Sequence, residues 1–306
     1  MNGASLEQVA AQVRAGRGPL DVVRDYVALT KPSINRMSLL MTAGGLALAP
    51  REVGVWAFVW ALVGTALAVG SANALNMWWE RGSDRLMKRT ADRPLAAGRI
   101  SDTGALAFGL AIGALAVLVL ALGTNALTTA LGVFALASYV VVYTPLKYRS
   151  PLALVVGAIP GAVPPLMGWT AATATLDPAG LALFGTLFVW QMPHFIAIAI
   201  FRKHDYAAAG IRVVTVVRGN TAAKRQAVAW AALLLPVSLA LTPLGVTSWL
   251  YAAVAGAIGV AFLGYAALGL RTAALPDARW AYRLFIGSLL YLPALVAGLI
   301  LDVTLL

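Results

Sequence analysis

Three oxygen-bearing side chains recur at every fourth position near the end of an apolar stretch. Asn76, Glu80 and Asp84 stand at i, i+4 and i+8. On an α-helix this spacing places them on one face, about 6 Å apart per step. Carboxylate and amide oxygens are the donors that a hard divalent cation prefers. The spacing therefore predicts a site for such a cation and for an anion that it carries.

Basic side chains follow these oxygens at Lys88, Arg89 and Arg93. They suit the phosphate groups of an anion bound to a divalent cation. The structural alternative is a solvated helix end with a stop-transfer cluster, in which Asp84 and Lys88 form a surface pair. Asn73 favours the site, because a polar group at membrane depth costs free energy unless it faces a cavity.

Tyr143 and Lys147 form a second candidate pair, at i and i+4 where a later apolar stretch ends. A phenol and an ammonium placed there could both reach a phosphate. The structural alternative is a tyrosine of the interfacial aromatic belt followed by a lysine that sets membrane orientation.

A histidine inside the sixth apolar stretch is the third candidate. Gln191 and His194 stand at i and i+3, on one face of the predicted helix. A histidine within a membrane span is expected to face the bundle interior and to serve a function. It could carry protons, ligate haem iron, or form a hydrogen bond between helices.

A second charged stretch begins with Arg202, Lys203, His204 and Asp205 and continues to Arg218. It resembles the first in having acid and base together after an apolar helix. Asp205 is its one carboxylate, so the sequence does not predict two equivalent carboxylate clusters.

Composition predicts that membrane-spanning helices position these groups. The 306 residues are 60% hydrophobic and 11% charged, with a mean hydropathy of +0.82. Apolar runs near 20 residues recur along the whole chain, which indicates an all-α polytopic membrane protein rather than a β-barrel. The absence of cysteine excludes disulfides and thiolate metal sites. The net charge of +11 is interpreted as a determinant of membrane orientation, with no nucleic-acid partner.

Nine spans are predicted around a central chamber. Residues 1–35 are interpreted as a cytoplasmic or interfacial N-terminal segment, with a short helix at 21–29, and residues 36–303 as a single transmembrane domain. The spans are placed at 36–50, 54–76, 104–122, 126–143, 152–172, 180–201, 226–242, 246–270 and 283–301. Pro160, Pro164 and Pro165 predict a kinked or broken fifth helix.

Loop charges predict the orientation. With a cytoplasmic N-terminus and a C-terminus outside, 22 of the 23 Lys and Arg residues fall on the inner side, and Arg51 falls outside. This asymmetry is what the positive-inside rule requires. The first 36 residues lack the features of a signal or transit peptide, which favours the inner membrane of a bacterium as the location.

These features converge on one chemistry. Carboxylates, a divalent cation and basic side chains at the mouth of an apolar bundle suit a substrate with a diphosphate head and a hydrocarbon tail. A dry apolar chamber would shelter an allylic carbocation from water. Prenyl transfer is therefore the predicted reaction, and a transporter or non-catalytic oxidase assembly factor is the alternative of another class.

At these residues the chain resembles the intramembrane aromatic prenyltransferase superfamily, whose first hallmark is Asn-x3-Asp/Glu-x3-Asp. Leu29-Thr30-Lys31-Pro32 and three longer segments are similar to its haem-modifying branch, the protoheme IX farnesyltransferases or haem O synthases. The longer segments read NMWWERGSDRLMKRTADRPLAAGRI, YTPLKYRSPLALVVGAIPGAVPPLMGWTAA and WQMPHFIAIAIFRKHDYAAAGIRVV.

The resemblance implies transfer of farnesyl from farnesyl diphosphate to the vinyl group of haem b, with water addition, to give haem O. A quinone-precursor ring is the alternative acceptor. It implies Mg²⁺ as the cofactor, the membrane lipid as surroundings, and a haem A synthase or terminal oxidase as a possible partner. The implied roles are metal binding by Asn76, Glu80, Asp84 and Asp205; diphosphate binding by Lys88, Arg89, Arg93, Lys147, Arg202 and Lys203; catalysis by Asn76, Glu80, Asp84, Tyr143 and Lys147; and haem binding by His194 and His204.

One departure from the superfamily pattern bears on the metal. A second Asp-x3-Asp motif is expected between the sixth and seventh spans, but Ala209 stands four residues after Asp205. Arg202 or Lys203 is therefore expected to supply positive charge there in place of a second metal ion.

Overall fold

The computed structural model describes residues 18–51, 53–271 and 276–305. Regular secondary structure in this part of the chain is entirely helical. The helices are α1 (Pro19–Leu29), α2 (Pro32–Leu48), α3 (Val55–Asp84), α4 (Asp102–Gly123), α5 (Ala126–Leu146, in which Ser138–Tyr143 is π-helical), α6 (Ala153–Thr173), α7 (Pro178–Phe201), α8 (Lys203–Ala208), α9 (Val214–Val217), α10 (Gly219–Leu239), α11 (Trp249–Leu268) and α12 (Asp277–Leu305).

Each predicted span overlaps one long helix within the described residues. Seven of these helices are long and apolar enough to cross a membrane: α3, α4, α5, α6, α7, α11 and α12. The first predicted span is the shorter helix α2, and the seventh is α10, whose first two turns carry Lys224 and Arg225. The protein is therefore a multi-pass membrane protein.

Local sequence signals set the helix ends. Proline occupies the first turn of α1, α2 and α7, where its missing N–H costs nothing. Ser101, Asn125 and Asp177 cap α4, α5 and α7 by accepting backbone N–H groups. The short helix predicted at 21–29 is confirmed as α1, and it ends before Pro32 as expected.

Helices α2 and α6 pack almost backbone to backbone. A Cβ on Gly45 would lie 2.0 Å from the Pro165 carbonyl oxygen, and one on Gly168 would lie 2.0 Å from the Thr42 carbonyl oxygen. Glycine is required at both positions for this approach. The contact divides the interior into two regions, one bounded by α2, α3, α5 and α6, and the other by α2, α6, α7, α10, α11 and α12.

Two predicted boundaries differ from the structure. Helix α6 runs without a break across Pro160, Pro164 and Pro165, and Gln191 of α7 donates to the Ala158 carbonyl oxygen. The second charged loop, predicted at 202–225, contains α8, α9 and the beginning of α10. Helix α10 extends into the loop because Lys224 forms an ion pair there with Asp277 of α12.

Candidate active site

The last two turns of α3 carry the three predicted oxygen donors on one face. Asn76, Glu80 and Asp84 are all buried, with exposed fractions of 1%, 6% and 1%. They line a cavity of about 210 Å³, named here the mouth, that is bounded by α3, α5, the segment after α8 and the loop between α3 and α4. The predicted grouping of these three side chains is confirmed.

A π-helical segment brings α5 into the same cavity. Pro145 has no N–H to donate within the helix, and the Thr144 hydroxyl donates to the Tyr139 carbonyl oxygen at 2.8 Å. Tyr139 and Tyr143 both line the mouth, with ring centroids 5.0 Å apart. The Lys147 ammonium lies 4.5 Å from the centroid of the Tyr143 ring. The predicted pairing of this tyrosine and lysine at one site is confirmed.

Each of the three oxygen-bearing side chains of α3 accepts hydrogen bonds from its own basic side chain. Lys31 donates to Asn76 Oδ1 at 3.0 Å, and Lys147 donates to Glu80 Oε1 at 2.7 Å. One guanidinium nitrogen of Arg93 contacts both oxygens of Asp84, at 2.9 and 2.8 Å. Buried carboxylates need such compensation, because an unpaired charge in a poorly hydrated site is strongly destabilising.

The mouth holds more positive than negative charge. Its lining contains Lys31, Arg89, Arg93, Lys147 and Arg212, but two carboxylates. Burial, together with the charge of Arg93, lowers the pKa of the Lys31 ammonium to about 7. A polyanion entering this cavity would relieve the repulsion among its cations.

The loop after α3 is folded so that Arg93 reaches Asp84. The Thr90 hydroxyl donates to the Asp84 carbonyl oxygen at 2.8 Å, and Arg99 donates to Asp92 at 2.9 Å and to Asp25 of α1 at 3.2 Å. The backbone N–H groups of residues 97–100 donate hydrogen bonds to the carbonyl oxygens of Arg93, Pro94 and Leu95, and these bonds close the turn. Gly98 adopts a positive φ of +74° within it. The loop is therefore ordered by contacts on both sides of Arg93.

An apolar pocket continues from the mouth toward the opposite end of the bundle. The two cavities share Ile34 and Tyr139 in their linings. The deeper one, named here the tail pocket, is bounded by Ser38 of α2, by residues 65–73 of α3, by Ala135 and Leu136 of α5, and by Pro160, Gly161, Pro164 and Met167 of α6. The two cavities together combine a charged head site with an apolar extension.

A larger apolar crevice of about 370 Å³ lies on the other side of the contact between α2 and α6. Leu40 and Leu48 of α2, Leu187 of α7, and Leu295 and Leu299 of α12 line it. It shares no lining residue with the mouth or the tail pocket. The crevice is therefore separate from the head site in this conformation.

The structure brings together most of the predicted polar site residues, but not all of them. Arg89 lines the mouth, whereas Lys88 is exposed and does not. Arg202 and Asp205 pair with each other at 3.6 Å, outside the lining of the mouth. The residues that lie outside the lining of the mouth are Lys88, His194, Arg202, Lys203, His204 and Asp205.

His194 is held against α12. Its Nδ1 lies 2.8 Å from the Ser288 hydroxyl, and its ring packs between Trp190 and Phe285, at centroid distances of 5.1 and 4.9 Å. The Ser288 hydroxyl donates its proton to the Phe285 carbonyl oxygen at 2.6 Å, so it accepts from Nδ1–H. This arrangement leaves the lone pair of the imidazole on Nε2. His204, in contrast, is exposed on α8.

Sequence reasoning missed four contributors to the mouth. Lys31 was assigned only to the segment before the first span, although it lies in the Leu29–Pro32 motif. Tyr139 stands four residues before Tyr143 and could have been found by that spacing. Tyr206 and Arg212 lie within the second charged stretch, but the sequence indicated its other residues, Arg202, Lys203 and Asp205, as the contributors.

The donor chemistry of the mouth fits Mg²⁺. Asn76, Glu80 and Asp84 present amide and carboxylate oxygens on successive turns, and a magnesium ion takes a few such ligands together with phosphate oxygens. Within the described ranges no group of three or more His, Asp or Glu residues could hold a metal by itself. A metal here would therefore depend on the amide of Asn76 and on oxygens of the substrate.

Comparison with known proteins agrees with this geometry. Residues 38–289 match the model of the UbiA prenyltransferase family. A protoheme IX farnesyltransferase of Anaeromyxobacter sp. (strain Fw109-5) is 48% identical over 292 residues, covering 95% of this chain and 98% of the relative. One of Myxococcus xanthus (strain DK1622) is 46% identical over 281 residues, covering 92% and 95%.

Solved structures share the fold at low sequence identity. A structure of digeranylgeranylglyceryl phosphate synthase superposes with a TM-score of 0.80 at 15% identity, covering 94% of this chain and 100% of the other. A UbiA homologue from Archaeoglobus fulgidus bound to GPP and Mg²⁺ has a TM-score of 0.59 at 17% identity, with coverages of 90% and 99%. The family match covers most of the chain, and this chain belongs to the UbiA prenyltransferase family.

Proposed function

We propose that this protein transfers the farnesyl group of farnesyl diphosphate to a vinyl group of haem b, with addition of water, and so produces haem O. The observation that carries the proposal is the mouth, where cations outnumber carboxylates and an apolar tail pocket begins. The relatives at 46 to 48% identity, which are named protoheme IX farnesyltransferases, support the choice of donor and acceptor.

The diphosphate head would occupy the mouth. Lys31, Arg89, Arg93, Lys147 and Arg212 supply positive charge around it. Mg²⁺ held by Asn76, Glu80 and Asp84 would supply further neutralisation of the diphosphate. Arg93 and Lys147 then exchange part of their contact with the carboxylates for contact with phosphate oxygens.

Arg202, Lys203 and Asp205 belong to the same proposal as an outer group. They lie on or next to α8, close in sequence to Tyr206 and Arg212 of the mouth. In this outer group Asp205 would be a metal ligand only if the segment after α7 moves toward α3. Lys88 would attract the diphosphate before it reaches Arg89.

Bond breaking would take place beside the two tyrosines. The C1–O bond of the donor breaks, and the diphosphate leaves with the electron pair, which the surrounding cations stabilise. The allylic carbocation would form beside Tyr139 and Tyr143, which line the mouth and whose aromatic rings attract positive charge. The vinyl group attacks C1, water adds to the resulting cation, and the water loses a proton to give the hydroxyl group.

His194 is the proposed haem contact of α7. Its fixed Nδ1–H tautomer leaves Nε2 able to ligate iron, as an axial histidine requires. We expect His194→Ala to weaken haem binding at least about tenfold while farnesyl diphosphate binding changes less. Equal loss of both affinities would mean that His194 has a structural role. His204→Ala, at the exposed histidine of α8, is the matched control.

The orientation is part of the proposal. With the N-terminus in the cytoplasm and nine spans, the mouth faces the cytoplasm at the inner membrane of a bacterium. The charge distribution supports this, since 22 of 23 Lys and Arg residues fall on one side. Haem A synthase or a terminal oxidase would then receive the product within the same membrane.

The acceptor is the point to test in vitro. Purified protein in lipid nanodiscs is incubated with Mg²⁺ and farnesyl diphosphate, and with either haem b or a hydroxybenzoate as the quinone-precursor ring. The proposal predicts a farnesylated haem and no farnesylated ring, both detected by mass spectrometry. Transfer to the ring alone would overturn the choice of acceptor and leave prenyl transfer intact.

A further inference from the structure

The tail pocket follows α3 and α6 away from the mouth. On α3 its lining descends from Asn73 to Thr65, and on α6 it descends from Pro160 to Met167. Thr65 and Asn76 are eleven residues apart on one helix, which corresponds to about 16 Å along the axis. Donor tails that start at the mouth therefore reach Thr65 and Met167 only near their far end.

A compact group of buried side chains lies beneath this end. Met167, Leu120 and Val163 form one apolar cluster, with exposed fractions of 2%, 1% and 1%. Gly132 of α5 faces the same group, since a Cβ there would lie 3.2 Å from Met167 Cε and 2.7 Å from Leu120 Cδ1. Close-packed side chains thus adjoin the pocket at this level, and Met167 is the one of the three buried cluster members that also lines the pocket.

We propose that Met167 sets the length of the prenyl chain that this enzyme accepts, by closing the far end of the tail pocket. The inference rests on the proposed function, because it places the diphosphate of the donor in the mouth. A donor with one isoprene unit more than farnesyl diphosphate would drive its last unit into Met167 and Leu120. Close-packed cores resist such insertion.

The larger crevice between α2 and α12 is the competing location for the tail. It is wider, but it shares no lining residue with the mouth, and the Gly45–Pro165 contact separates the two regions. The tail pocket shares Ile34 and Tyr139 with the mouth. A chain attached to a head group in the mouth therefore enters the tail pocket.

The test compares geranyl, farnesyl and geranylgeranyl diphosphate as donors, with haem b as the acceptor. Met167→Ala removes the closing side chain and is expected to raise kcat/KM for geranylgeranyl relative to farnesyl diphosphate by at least about tenfold. Met167→Leu keeps the volume and is expected to retain the wild-type preference. Ala68→Leu narrows the pocket nearer the mouth and is expected to shift the preference toward geranyl diphosphate.

Two matched variants serve as controls. Met192 of α7 is also 2% exposed but lines none of these cavities, and Leu295 lines the larger crevice. Met192→Ala and Leu295→Ala are expected to leave the donor preference unchanged. If Met167→Ala does not fold, as judged by gel filtration and thermal unfolding, Met167→Val takes its place, because it also shortens this side chain and is expected to shift the donor preference in the same direction.

The outcomes separate the two proposals. A wild-type protein that transfers no farnesyl group to haem contradicts the proposed function. A wild-type protein that does so overturns the role of Met167 if its donor preference is unaltered by a folded Met167→Ala or Met167→Val variant, or if it is unaltered by Ala68→Leu. A shift of the donor preference caused by Leu295→Ala would place the prenyl tail in the larger crevice. That result would also overturn the role of Met167.

Discussion

At the scale of single residues, the mouth consists of oxygen donors and cations that are already paired. Glu80 and Asp84 each lie within 3 Å of a basic nitrogen. Such pairing compensates the burial of two carboxylates, but the basic groups compete with a metal ion for the same oxygens. Under the proposed function, a bound diphosphate would relieve this competition, because it would attract Lys147 and Arg93 away from the carboxylates and would offer oxygens of its own to a metal ion.

Asp84 and Asp205 are expected to differ in importance. Asp84→Asn removes a charged donor from the mouth, and we expect it to lower kcat/KM about 100-fold or more. Asp205→Asn alters a carboxylate that pairs with Arg202 outside the mouth. We expect kcat/KM to change less than about threefold in this variant. Steady-state kinetics over a range of Mg²⁺ concentrations would measure both. An equal loss in the two variants would show that Asp205 joins the metal site during turnover.

The residues that could be predicted from sequence are those that share a helix. Asn76, Glu80 and Asp84 were found because a four-residue spacing fixes one face. Lys31 and Arg212 were not found as site residues, because they approach from segments that are distant in sequence from α3. Such contacts depend on how helices pack, which no local pattern encodes.

At the scale of elements, the loop between α3 and α4 positions Arg93. Arg99 ties Asp92, the neighbour of Arg93, to Asp25 on α1. We expect Arg99→Ala to raise KM for farnesyl diphosphate about tenfold with little change in kcat, because Arg93 loses its fixed position rather than its charge. Arg149→Ala, at an exposed arginine of the next loop, is the control. A fall in kcat with an unchanged KM would argue against this positioning role.

The start of α7 depends on Asp177. Burial alone would raise the pKa of its carboxyl group, but hydrogen bonds from the Gly180 amide, the Trp169 indole and the Thr175 hydroxyl hold that pKa below its ordinary value. The stabilisation is therefore present above the unfolded-state pKa, near about 4, and is lost as the pH falls through the lower folded-state pKa.

Substitution of Asp177 tests this cap. We expect Asp177→Ala to lower the free energy of unfolding by about 2 kcal/mol at pH 7, since it removes the cap and the indole partner. Asp177→Asn keeps an N-cap acceptor, so it should lose less at pH 7 and show a weaker dependence of stability on acid. Thermal unfolding in detergent between pH 3 and pH 7 (about the range set by the carboxyl pKa) would measure this. Identical acid sensitivity of Asp177→Asn and the wild type would contradict the assignment.

The exact boundaries of the helices could not be predicted. The π-helical segment of α5 was not predicted, because a proline at position 145 is equally consistent with the simple end of a span. Helix α3 continues to Asp84, eight residues beyond the predicted span, because its polar face is buried in the mouth and not exposed to solvent.

At the scale of the whole molecule, the contact between α2 and α6 gives the bundle two apolar regions with different connections. The tail pocket shares two lining residues with the mouth, and the larger crevice shares none. Composition predicted an apolar helical bundle, but it could not predict this partition. The partition depends on Gly45 and Gly168 meeting a facing backbone.

The central claim is that this chain makes haem O. Haem is extracted from bacterial cells that lack their own haem O synthase and that express either the wild-type protein or Asp84→Asn. It is then separated by reversed-phase chromatography and identified by mass. The account predicts a farnesylated haem with the wild-type protein, and haem b alone with Asp84→Asn at equal expression. Haem b alone in both strains, with wild-type protein present in the membrane, would contradict it.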